Sequence, residues 1–177
     1  MAAFTELDWT RIDVVAIMAF RGIATIDEQR RSKCLDWLRR NGYGVESLDC
    51  SRGLVHALSE LGRMLGWQQQ FGYTLEPDIR NLDALRDGFE FDVPVDGGKV
   101  LELVRADLAW QEDARWLLGL LAIAEEATRR ELALGRRFFT LLVLPEKSPL
   151  VGQAIETATV PVPFWNPCRE LDESDRS

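Results

Sequence analysis

The feature that most restricts the fold is an alternation along the chain between apolar runs of strand length and amphipathic stretches with helical spacing. Ile12-Asp13-Val14-Val15-Ala16-Ile17-Met18 is nearly continuous in apolar residues and reads as a buried strand. Thr25-Ile26-Asp27-Glu28 has capping-box spacing and introduces a helix with Cys34, Leu35 and Leu38 on one face, closed by Asn41-Gly42. Tyr43 to Cys50 reads as a second strand. Leu54, Leu58, Leu61 and Leu65 then repeat at helical spacing up to Gly66. A long connection, Trp67 to Arg80, leads to a short helix near residues 81–89. The Asp96-Gly97-Gly98 turn opens a third strand, Lys99 to Val104. A long helix runs from about Asp113 to Gly135, and Phe138 to Leu144 forms a fourth strand before Pro145. Strands that alternate with helices imply an α/β fold: a small, mostly parallel sheet covered by helices, with right-handed crossovers. Residues 1–144 are expected to form one domain, in which 12–40 is an N-terminal strand–helix extension adding an edge strand. Residues 145–177 are expected to form an extended, proline-containing tail that lays Phe164 and Trp165 against the body.

Composition narrows the function classes. No apolar run approaches the ~20 residues needed to cross a bilayer, so no membrane association is expected. Met1 to Asp13 has no basic stretch before Arg11 and does not read as a signal peptide. Cys34, Cys50 and Cys168 are an odd, widely spaced set, which suits reduced thiols in a cytoplasmic protein. A formal charge of −8 disfavours direct nucleic-acid binding, because phosphates need Lys and Arg, and it suits a basic protein partner. The cationic helix that carries Arg30, Arg31, Lys33, Arg39 and Arg40 reads as a solvated face rather than an RNA site. No nucleotide-binding glycine motif, nucleophile elbow or metal-ligand spacing is present, so no cofactor or metal is expected. His56, the only histidine, has no second histidine and no paired Ser or Cys nearby, and no enzymatic role is expected of it.

The charge is concentrated. Glu76 to Asp96 holds seven acids against Arg80 and Arg86, a net −5 that exceeds half of the chain's total. Within it, Leu82, Leu85 and Phe89 mark one helix face, while Asp83, Asp87 and Glu90 form an acidic stripe on another, with Asn81 as the expected N-cap. Two carboxylates doing acid–base chemistry must converge on a pocket with one of them buried, whereas these two should be solvated until a cation arrives. Phe71 and Tyr73 in the preceding connection either pack down as an anchor or stand up as contacts.

From about Tyr43 to Leu144 the chain resembles the barstar family of intracellular ribonuclease inhibitors and immunity proteins. The resemblance is carried by Asn81-Leu82-Asp83-Ala84-Leu85 followed by Asp87, by the strand and helix before it, by the Lys99-Val100-Leu101-Glu102-Leu103 strand, and by the long helix running into Gly135-Arg136-Arg137-Phe138. It implies a barstar-like core over 43–144 whose motif helix and preceding loop enter the active site of a basic ribonuclease toxin, the acids standing in for substrate phosphates. Residue by residue, Asp83 and Asp87 match the two motif aspartates, while Asn81, Leu82 and Leu85 match its structural positions. Arg86 replaces a tryptophan. Pro77 to Arg80 replaces an aromatic, glycine-containing segment, so Tyr73 is the residue near enough to supply a tyrosine contact. A further acidic contact on the last helix falls near Arg130 or Glu131. The implied partner-binding set is Asp83, Asp87, Arg86, Glu90, Asp78, Glu76 and Tyr73. The alternative is an interaction module on the same scaffold with a partner that is not a nuclease.

Overall fold

The computed structural model describes residues 12–155 and 158–160. Four strands, β1 (Ile23–Ile26), β2 (Tyr43–Asp49), β3 (Gly98–Val104) and β4 (Arg137–Val143), form one sheet in the order β1-β4-β3-β2, and every pairing in it is parallel. The helices are α1 (Ile12–Ala19), α2 (Arg31–Arg40), α3 (Leu54–Met64), α4 (Trp67–Phe71), α5 (Asn81–Gly88), α6 (Ala106–Glu112) and α7 (Ala114–Ala133). A two-residue antiparallel pair, β5 (Ala154–Ile155) with β6 (Ala158–Thr159), follows.

Successive residues of a strand face opposite sides, and the two central strands are apolar on both. Leu101, Leu103, Phe138 and Leu142 pack under α3, α5, α6 and α7, whereas Val100, Phe139, Leu141 and Val143 pack under α2. Strands β2, β3 and β4 are laid down in sequence towards β1, while the β1–β2 connection crosses the whole sheet in the other direction. A constant crossover hand therefore puts α2 alone of the crossover helices on the far face.

The extra edge strand is present, but it is not the segment expected. Ile12–Ala19 is a helix, in which Asp13, Val14, Ala16 and Ile17 are buried. That spacing is helical, and a short continuous apolar run does not separate the two states by itself. The strand is the four-residue Ile23–Ile26, entered through Gly22 at φ +80° and buried throughout. Thr25 lies in this strand and is not a cap. Asp27 is the cap: its Oδ1 accepts from Arg30 N at 3.0 Å. The other three strands and the long helix fall within a residue or two of their expected bounds, with Asp113 capping α7 by accepting from Trp116 N at 2.9 Å.

Two buried polar contacts tie the far-face helices to the sheet. The Tyr43 hydroxyl on β2 donates to the Asp13 carboxylate on α1. Glu102, wholly buried in the middle of β3, accepts from Arg31 Nε at 2.7 Å and Nη2 at 2.8 Å and from the Ser47 hydroxyl. This pairing holds the Arg31 guanidinium above its already high pKa. Arg31 is thus a sheet anchor rather than part of a solvated cationic face.

On the near face, Leu150, Ile155 and Val160 join the same buried cluster as α7. Phe164, Trp165 and Cys168 lie outside the described residues, as does the expected extended course of 161–177.

Candidate functional site

Helix α5 has eight residues, too few to be stable alone, so it must be held by what it buries. Leu85 and Phe89 are fully buried. Half-buried Leu82 lies over Gly119 of α7, where a Cβ would stand 2.5 Å from Leu82 Cδ1, so the close approach of the two helices requires glycine there. Gly88 meets Phe71 in the same way, at 2.9 Å. Phe89 and Phe91 pack edge-on with ring centroids 5.1 Å apart, and Phe91 stacks on Phe138 at 5.5 Å. Arg130 Nη2 donates to Phe89 O at 2.6 Å and caps the end of the helix.

The start of the helix is organised by the preceding loop. Asn81 is the first helical residue and does not cap it; Arg80 occupies the cap position and makes no side-chain cap bond. Asp78 supplies that function instead, accepting Arg80 N at Oδ1 (2.9 Å) and Asn81 N at its carbonyl (2.8 Å). Asn81 faces backwards into the loop: its Nδ2 donates to Glu76 O at 3.0 Å, and its Oδ1 lies 3.4 Å from the Tyr73 hydroxyl. Phe71 packs down, its ring 4.1 Å from that of Trp67, whereas Tyr73 touches Trp67 edge-on at 5.8 Å and stays 41% exposed. One of the two aromatics is the anchor and the other faces solvent.

The outward side of α5 carries the charge. Asp83 is almost fully exposed and Asp87 is exposed as well; the helix ends at Gly88, so the expected stripe does not continue to Glu90, which is exposed just beyond it. Among the described residues Asp87 forms no ion pair. It stands in the last turn, where the partial negative charge of the helix end disfavours an anion. Exposed Glu76, Tyr73 and Ile79 border this face. Asp78 is different: its carboxylate is clasped by the Arg80 guanidinium, with Nε at 3.0 and 2.9 Å, and its pKa falls to about 2, chiefly through that side-chain bond. It is committed to the loop.

Arg86 lies between the acids. Its Nε is 3.1 Å from Glu126 Oε2 on α7, and its Nη1 is 3.7 Å from Asp83 Oδ1. Both positions expected for an acidic contact on the last helix are used internally. Glu131 is buried and pairs with Arg136 at 2.7 Å, and Arg130 holds the end of α5. The half-exposed acid that α7 turns towards α5 is Glu126. Sequence reasoning missed it, because what shows that it faces α5 is the structural contact of Leu82 with Gly119, seven residues earlier on the same face of α7.

Among the described residues no group of three or more His, Cys, Asp and Glu side chains is disposed to hold a metal ion, and no helix is long and apolar enough to cross a membrane. His56 is half-buried on α3, 3.5 Å from Glu60. Comparison of the chain with protein-family models, with curated proteins and with solved structures returned no match.

Proposed function

We propose that the protein is an inhibitor of the immunity type, which covers the basic active site of a ribonuclease toxin with the outward face of α5 and the loop before it. The single observation that carries this reading is the division of α5. Its apolar side is fixed to α7 and the sheet, while Asp83 and Asp87 stand exposed on the other, with Asp87 in the turn least hospitable to an anion and, among the described residues, without an ion pair; exposed Glu90 follows just beyond the helix end. A rigid, exposed carboxylate without a partner is suited to meet an Arg or Lys that a binding protein desolvates. The resemblance of residues 81–87 to the barstar motif supplies the class of partner. Tyr73 and Ile79 add apolar area at the edge of the charged face, as a protein interface needs.

A second reading, in which the same face serves a partner that is not a nuclease, is favoured by one observation. Asp78 is spent on Arg80, and Arg86 lies against Asp83, so two of the seven acids of the segment are engaged within it.

Co-expression with the cognate ribonuclease separates the two. Cells should survive with the wild-type chain and lose protection with Asp87→Ala. Protection left unchanged by lysine at both 83 and 87 would overturn the first reading. Binding should also weaken as salt rises.

A further inference from the structure

A cleft of about 280 Å³ opens between the second half of α3, the short helix α4 and residues 73–75. Its floor is made by Gly62, Trp67 and Leu75, all buried. A Cβ on Gly62 would stand 3.3 Å from Leu75 Cβ and 3.4 Å from Trp67 Cβ, so the absence of a side chain there lets the floor close. The rim is exposed and polar: the Ser59 and Thr74 hydroxyls, the Gln68 and Gln69 amides and the Tyr73 ring. Arg63, in the last turn of α3, is the only charged residue of the lining, and it makes no ion pair among the described residues. In a chain of net −8 this lining holds no acid, and Glu60 on the same helix lies 3.5 Å from His56 instead.

A buried apolar floor under a few converging polar groups is the common form of a small-molecule site, and this volume lies near the lower end of the roughly 300–1,000 Å³ that such sites span. That size suits a ligand of one ring. A single guanidinium matches a carboxylate through two parallel hydrogen bonds, whereas a phosphate dianion would find no second cation in the lining. We propose that this cleft is a binding site for a small monoanion, a carboxylate carried on one flat apolar ring. Arg63 takes the carboxylate, the neutral rim groups complete its hydrogen bonds, and the ring covers Leu75 beside Tyr73. Only Tyr73 is shared with the binding face proposed above, so this site stands or falls separately from that reading.

The test titrates the full chain with benzoate and follows the backbone amides and the tryptophan indole N–H signals by NMR at fixed ionic strength. Saturable shifts should centre on Gly62, Gly66, Thr74 and the Trp67 indole. Benzyl alcohol, the same ring without the charge, should bind at least about tenfold more weakly, the scale of one charge-assisted hydrogen-bonded contact. Arg63→Gln should weaken benzoate by a similar factor and leave benzyl alcohol within about twofold. Arg52→Gln removes the same formal charge from an exposed position outside the cleft and should change benzoate binding less than about twofold. Glutamine suits the helix nearly as well as arginine, so Arg63→Gln should fold, and a thermal melt checks this. Shifts that do not saturate or that scatter over the surface overturn the inference. So does an Arg63→Gln effect no larger than that of Arg52→Gln, or inorganic phosphate binding the cleft as tightly as benzoate.

Discussion

Replacing Leu85 by alanine should separate what holds α5 from what it presents. The side chain is fully buried in the cluster shared with α3 and α7. Alanine removes three carbons, about 2.4 kcal/mol at ~0.8 kcal/mol per buried methylene. The space left cannot close fully, because Leu82 is braced on Gly119 and Gly88 on Phe71, and a residual cavity adds about 1 kcal/mol more. The expected loss is therefore about 3–4 kcal/mol out of a total stability of roughly 5–15 kcal/mol. In urea, with a slope of about 2 kcal/mol per molar, the midpoint should fall by roughly 1.5–2 M. Asp87→Ala, two residues on and on the opposite, exposed side, should stay within about 0.5 kcal/mol of wild type by the same measurement. A Leu85→Ala loss below about 1 kcal/mol would refute the packing, because it would mean that α5 is not seated by this side chain. An Asp87→Ala loss comparable to that of Leu85→Ala would refute the division of faces.

Other perturbations follow from the same contacts. Arg31→Met leaves the Glu102 carboxylate buried in β3 without its cation and should cost about 3 kcal/mol in chemical denaturation, whereas Glu102→Gln, which still accepts from Arg31, should cost less. The Asp78 carboxylate should titrate by NMR near pH 2 and return towards the ordinary aspartate range in Arg80→Gln. Because its pKa is depressed on folding, whatever Asp78 contributes to stability is present above about pH 4 and is lost as pH falls towards 2. Burial pushes the Cys50 thiol up to about 12, and Cys34 is wholly enclosed, so in a Cys168→Ser chain neither should react with a disulfide reagent at pH 8 until denaturant is added.

Much of this architecture was legible before the structure, and the exceptions have physical causes. Strand β2 is announced by Asn41-Gly42, β3 is a largely apolar run opened by the Asp96-Gly97-Gly98 turn, β4 is an aromatic and aliphatic run closed before Pro145, and α7 is marked by Asp113 ahead of a long apolar stripe. Helix α1 was misread because seven nearly continuous apolar residues fit a buried strand as well as a helix, and only tertiary packing separates them. Strand β1 was missed because it has four residues and its Thr25 imitates a cap. Helices α4 and α6 were missed because neither is long enough to display a period. At the site, the buried positions Leu85 and Phe89 and the exposed positions Asp83 and Asp87 could be read from spacing, but the helix ends at Gly88, short of Glu90. What could not be read was which acids are already paired. Asp78 with Arg80 is a loop contact over two residues, Arg86 with Glu126 joins positions forty apart, and Glu131 turns inward to Arg136. Each depends on where a long side chain lands rather than on periodicity.

The most direct test of the binding face is a paired capture from the native host, with wild-type protein and the Asp83→Lys/Asp87→Lys double variant as parallel baits. The eluate is then assayed for RNA cleavage before and after high salt separates the complex. The wild-type bait should retain a basic protein whose ribonuclease activity appears only after that separation, and the double variant should retain none. Recovery of the same proteins on both baits, or a specific partner with no ribonuclease activity, would contradict the inhibitor reading.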